Sequence, residues 1–250
     1  MEILTTQLPS GGYKYPFTSV SVSPMTFLEI NKYSENCPKD PLEKYLYDIK
    51  FLAQEDPKIY DCYVMDIDFL IFLKKLITVN EDQTTYTLTV KCPECGKEIK
   101  KKINLEKDIH FKQIDSKIME GAQIRLGERA YETIIPTVRE FLDVFNTYLR
   151  YRTVDDLKMI KIISLIKNFK VAGNQIEKDI LGATHSDITL LMALYELYFD
   201  RLEGIEVTCP NCVKEGRRGV VTMSVDSLVV DFFRDLYNNC PIDQSKILFK

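Results

Sequence analysis

The sequence predicts a mainly helical α+β chain with an extended N-terminal arm and a pair of β-hairpins. Three observations carry that prediction. Helix starts are written as capping boxes, short stretches alternate with period two, and two matching Cys-Pro-x-Cys turns lie between the alternating stretches.

Residues 1–25 read as the arm, which could pair with an exposed strand on a partner or fold back on its own domain, the second slightly favoured. Leu8-Pro9-Ser10-Gly11-Gly12-Tyr13-Lys14-Tyr15-Pro16 is punctuated by Pro and Gly, and Thr18 to Ser23 alternates hydroxyl residues with Val, a short strand signal.

Residues 26–83 read as helical. Thr26 with Glu29 has the capping-box spacing, in which a hydroxyl accepts from an orphan N–H and the later carboxylate reaches back. Asp40-Pro41 with Glu43 gives a second start, because Pro at the first helical position loses no needed hydrogen bond. Leu42, Tyr45, Leu46, Ile49 and Leu52 then keep helical spacing. Asp66 reads as a further cap, and it shares no helical face with Asp68, two positions on.

Residues 84–112 form the first predicted hairpin. Tyr86, Leu88 and Val90 alternate with Thr up to Cys92, and Ile99, Lys101, Ile103 and Leu105 share one parity on the way back. Residues 113–204 read as a helical insertion, with starts at Thr137/Glu140, Thr153/Asp156 and Thr184/Asp187. Behind them run the stripes Val138, Phe141, Leu142, Phe145, Leu149, then Leu157, Ile160, Ile163, Leu165, Ile166, then Ile188, Leu191, Met192, Tyr195, Phe199. So many aromatics could line a groove, but their periodicity is that of a bundle core.

Residues 205–250 repeat the hairpin plan. Ile205 and Val207 lead into Cys209, a longer tip spans 213–219, and Val221, Met223 and Val225 alternate on the return. Leu228 to Phe233, with Leu236 and Tyr237, suggest a closing helix that docks internally or against another subunit. All five segments are expected to form one integrated domain.

Composition narrows function. The 250 residues carry 33 basic and 37 acidic side chains, a net charge of −4, which argues against a surface built mainly for nucleic acid. The start lacks the basic-then-apolar order of a signal peptide, and the greasy stretch Ile67–Ile77 is broken by Asp68, Lys74 and Lys75, so no membrane partner is expected.

Seven cysteines cannot all pair within the chain. Cys37, Cys62 and Cys240 are scattered, whereas Cys92, Cys95, Cys209 and Cys212 form two Cys-x-x-Cys turns. Each turn can aim two sulfurs at one point, and two turns complete the tetrahedron that structural zinc prefers. The expected cofactor is therefore a structural zinc ion in a zinc-ribbon-like pair of hairpins. Since 113 residues lie between the pairs, the fold must bring them together. Separate sites on each hairpin, shared with a second copy, remain the alternative. Lys91, Lys97, Lys100, Lys214, Arg217 and Arg218 flank the turns, either to favour thiolates or as a solvated face. His110, the nearby imidazole, reads as an ordinary strand-end residue.

No enzyme is expected. Four thiolates leave a zinc ion no open position for water or substrate. The chain also has only two His, and no phosphate-cradling Gly-Lys-Ser/Thr loop, nucleophile elbow or dinucleotide fingerprint.

Leu8-Pro9-Ser10-Gly11 followed by Tyr15-Pro16, then the strand into Pro24-Met25-Thr26 and Glu29, resembles the opening of T4-type bacteriophage baseplate proteins. Tyr86 to Leu105, a strand, a Cys-Pro-x-Cys knuckle and a short hydrophobic return, is similar to a later part of that family. The likeness lies in the order of the motifs over residues 5–110, and the second Cys pair falls outside it. The resemblance implies a non-enzymatic structural or assembly protein of the contractile-tail baseplate hub, acting in the host cytoplasm during assembly, with other baseplate or tail proteins as partners. Retention in the virion is left open.

Two rivals stand beside this reading. A zinc-ribbon nucleic-acid module would use Lys97, Lys100, Lys101, Lys102, Arg217 and Arg218 on phosphates. A thiol redox protein would cycle one Cys pair without metal.

Overall fold

The computed structural model describes residues 1–78, 85–108, 110–126, 128–151, 157–167, 178–179, 182–199 and 205–223. They fall into two units, one of Met1–Thr78 with Phe111–Arg201 and one of Val79–His110 with Leu202–Lys250.

In the first unit, residues 1–25 fold back on their own unit, the course slightly favoured by sequence. Strand β1 (Glu2–Leu4) pairs antiparallel with β2 (Ser19–Ser21), placing Ile3 opposite Val20. Ile3, Leu8, Val20 and Val22 are buried in the hydrophobic core. Four apolar side chains in so short a stretch gain more from burial than from solvent, at about 1.5–3 kcal/mol for each large one. The Gly11-Gly12 turn lets the chain double back, both residues having positive φ.

The helix starts follow their caps. Helix α1 (Phe27–Asn36) opens on Thr26, whose hydroxyl accepts from Glu29 N–H while the Glu29 carboxylate accepts from Thr26 N–H at 2.7 Å. Asp40 accepts from the N–H groups of Leu42 and Glu43 at the start of α2 (Pro41–Ala53). Leu42, Tyr45, Leu46, Ile49 and Leu52 are all buried along it.

Helix α3 (Val64–Thr78) is buried on much of its surface, polar residues included. Asp66 is not the cap its position suggests. Its carboxylate is fully buried and accepts from Ser10 N–H (2.8 Å), Ser10 Oγ (2.6 Å) and Tyr15 Oη (2.5 Å), tying the N-terminal turn to α3. Burial pushes its pKa up to about 6, against the three donors that favour the charged form. Asp68, on another face, pairs with Lys161 at 3.0 Å.

Near the end of α3, Lys74 pairs with Glu55 and donates to Ser23 O at 2.9 Å. Lys75 lies 3.6 Å from the buried Asp48, which also accepts from Tyr33 Oη (2.5 Å) and Lys44 Nζ (3.2 Å). Burial pushes Lys75 down to about 8. The charges that interrupt the greasy stretch are thus paired inside the unit.

Strands β3 (Thr85–Lys91) and β4 (Glu98–Asn104), in the second unit, are described below. The first unit then adds an element the sequence reading places within helix: the hairpin of β5 (Gln123–Leu126) and β6 (Arg129–Glu132). Ile124 and Leu126 point inward from it while Gln123 and Arg125 are exposed.

Helix α4 (Val138–Tyr151) opens on the Thr137/Glu140 box and buries Val138, Phe141 and Phe145. Helix α5 (Leu157–Ser164) buries Ile160 and Ile163, and Leu165 and Ile166 follow. The Thr153/Asp156 box lies outside the described residues.

Helix α6 (His185–Tyr198) opens on Thr184/Asp187 as expected; Leu191 and Phe199 of the expected stripe are buried in the core, Met192 and Tyr195 pack against it, and Leu194 and Tyr198 join them. Ile188, assigned to that stripe, is 47% exposed. It sits on the first turn, ahead of the stretch that packs inward. No helix among the described residues is long and apolar enough to cross a membrane.

The second unit holds two hairpins. In the first, β3 and β4 pair through seven register positions from Thr85↔Asn104 to Lys91↔Glu98, and a single helical turn follows at Leu105–Asp108. Because opposite residues share a face, Thr85, Thr87, Thr89 and Lys91 lie beside Asn104, Lys102, Lys100 and Glu98 on one side. Ile99 and Ile103 are buried on the other. In the second hairpin β7 (Ile205–Thr208) pairs with β8 (Val220–Met223), joined through a short helix α7 (Pro210–Lys214). The return strand beyond Met223 and the suggested closing helix fall outside the described residues.

Candidate metal centre

Each Cys pair sits where its hairpin turns. In the first, Cys92 N–H donates to Lys97 O (2.9 Å) and Gly96 N–H to Cys92 O (2.8 Å), so the chain reverses tightly around Cys95. Gly96 has φ +70, a left-handed conformation that glycine adopts without a Cβ clash.

In the second, Pro210 occupies the first position of α7 and Cys209 its cap. Cys209 N–H donates to Gly219 O (2.7 Å), and Arg217 N–H to Cys212 O (2.8 Å). A Cβ on Gly219 would lie 2.4 Å from Cys212 Cβ and 3.2 Å from Cys209 Cβ, so this glycine lets the returning strand pass against both cysteines.

The sequence reading assigned Gly96 and Gly219 no role. Their signal was available as a glycine directly after the first Cys-x-x-Cys and another closing the longer tip of the second.

The four sulfurs converge. Cys92, Cys95, Cys209 and Cys212 place their Sγ atoms within 4.8 Å of one another. Cys92 Sγ lies 3.6 Å from Cys212 Sγ, and Cys95 Sγ 3.6 Å from Cys209 Sγ. A disulfide needs about 2.0 Å, so these are free thiols held close. Four sulfurs each about 2.3 Å from one tetrahedral ion would stand about 3.8 Å apart, close to the two 3.6 Å separations.

Compared with known proteins, the chain matches no protein-family model, no curated relative and no solved structure. The centre must therefore be read from its own chemistry.

Three of the four cysteines are buried and Cys95 is partly so. The N–H of Cys212, with that of Asn211, holds the Cys209 thiol down to about 7, while burial pushes Cys212 up. The four cysteines could hold one metal ion. An all-sulfur, tetrahedral donor set suits a soft or borderline cation.

Polar contacts join the two hairpins around this point. Lys97 Nζ donates to Asn211 Oδ1 (2.8 Å) and Lys101 Nζ to Glu206 O (2.7 Å). Arg217 pairs with Glu215, and its charged form is favoured first by Glu215 and then by negative charge on the Cys212 and Cys95 sulfurs. Of the basic flank, Lys97 and Arg217 are engaged at the centre, whereas Lys91 and Lys100 stand exposed on the β3–β4 face. His110 is exposed and is not among the ligating group.

Proposed function

We propose that this chain is a non-enzymatic structural or assembly protein of a contractile phage tail baseplate, stabilised by one structural zinc ion. The observation that carries the zinc half is the convergence of four thiols from two distant turns. Zinc bound by all four would be coordinatively closed, leaving no position for water or substrate. It would then act as a staple, and binding energy would become folding energy.

The baseplate half rests on the order of motifs from Leu8-Pro9-Ser10-Gly11 through Thr26 and Glu29 to the first Cys-Pro-x-Cys knuckle. The rival nucleic-acid module loses part of its proposed contact set. Lys97, Lys101 and Arg217 are committed to Asn211, Glu206 and Glu215.

The test is assembly in infected cells. Loss of the chain should leave tails without complete baseplates, and an affinity-tagged copy should co-purify with identified baseplate or tail proteins. Normal baseplates in its absence would overturn the reading.

A further inference from the structure

We infer that the Thr/Lys face of the β3–β4 hairpin holds the phosphate backbone of a nucleic acid without reading its bases. It keeps Lys100 and Lys102 of the rival contact set as a secondary surface and does not rest on the baseplate assignment.

The register puts Lys102 opposite Thr87 and Lys100 opposite Thr89, with Lys91 at the end of the same row. All five side chains are exposed. Cross-strand neighbours stand about 5 Å apart, and alternate residues along a strand about 7 Å. Two ammonium–hydroxyl pairs therefore follow one another along the ribbon. Among the described residues, none of Lys91, Lys100 and Lys102 makes an ion pair. The single carboxylate on this face is Glu98, opposite Lys91.

A protein partner would need an apolar anchor, since interface cores are depleted in Lys and enriched in aromatic residues. This face offers Thr, Lys and Asn with no apolar side chain, the set that contacts phosphate oxygens. Without aromatic or Arg side chains it cannot stack on bases. Binding should be weak, independent of sequence and steeply sensitive to salt.

The test uses the full chain and a fluorescent 20-nucleotide oligo-dT. Three neutralised phosphates give a logarithmic salt slope of about −2, an affinity loss of about 16-fold between 50 and 200 mM salt. The double variant Lys100→Glu/Lys102→Glu should weaken binding at least tenfold with metal content unchanged. Thr87→Val/Thr89→Val should weaken it less. The charge-matched Lys39→Glu/Lys50→Glu, on exposed lysines of the first unit, should leave it intact. No binding at 50 mM salt, equal losses in the two lysine variants, or equally tight retention of polyglutamate would each overturn the inference.

Discussion

Cys92 Sγ lies 3.6 Å from Cys212 Sγ although 120 positions separate them in sequence. That contact joins the tips of two hairpins that, among the described residues, share no strand, β3 pairing with β4 and β7 with β8. If an ion sits between the four sulfurs, it is a cross-link closing a very long loop. Cys92→Ser and Cys209→Ser should each abolish metal binding. They should also raise hydrogen exchange in Thr85–Asn104 and Ile205–Met223 together, as measured by mass spectrometry.

The close approach at Gly219 gives a second expectation. A methyl group there meets Cys212 Cβ at 2.4 Å in a backbone with φ +50, whereas at Gly216, φ +71, nothing lies within 4 Å. Gly219→Ala should weaken metal affinity tenfold or more in a chelator competition titration. Gly216→Ala should carry only the left-handed backbone penalty of about 1–2 kcal/mol and keep its metal.

Asp66 gives a pH signature in the other unit. Its folded pKa is raised from 3.8 to about 6, so the folded state binds this proton more tightly than the unfolded chain. The resulting stabilisation is fully present below about pH 4 and is lost as pH rises through 6. It amounts to something on the order of 3 kcal/mol. Urea unfolding of the wild type minus Asp66→Asn, from pH 4 to 7, should show that fall. The subtraction removes carboxylates of opposite sign such as Glu29, whose pKa is lowered by the Thr26 N–H.

Asp48 neutralises the buried Lys75 and accepts from Tyr33 and Lys44. Asp48→Ala removes the buried carboxylate that Lys75, Tyr33 and Lys44 share and should destabilise the chain by about 3–5 kcal/mol, read from denaturant midpoints. Exposed Asp61, paired with exposed Arg139, should change stability by less than about 1 kcal/mol when replaced by Ala.

Short-range rules were readable from the chain alone. Thr26/Glu29, Asp40-Pro41, Thr137/Glu140 and Thr184/Asp187 start helices because each cap needs only a few neighbouring residues. The Cys pairs were readable because thiolate chemistry requires four ligands whatever the intervening sequence. What escaped depends on distant partners. Asp66 looks like a cap until Ser10 and Tyr15 arrive from across the fold. Residues 1–25 look extended until β1 and β2 pair and bury Ile3 and Val20. The β5–β6 hairpin is only four residues on each side, too short for period two to stand out from helical surroundings. Ile188 fits a helical stripe by spacing but stands 47% exposed, while the rest of that stripe, Leu191, Met192, Tyr195 and Phe199, packs inward with Leu194 and Tyr198 added.

The most direct test of the shared centre is the metal content of the full-length protein combined with X-ray absorption at the metal edge. The account predicts one zinc ion per chain with four sulfur ligands at about 2.3 Å. Two ions per chain, a first shell containing nitrogen or oxygen, or a fully folded metal-free protein would contradict it.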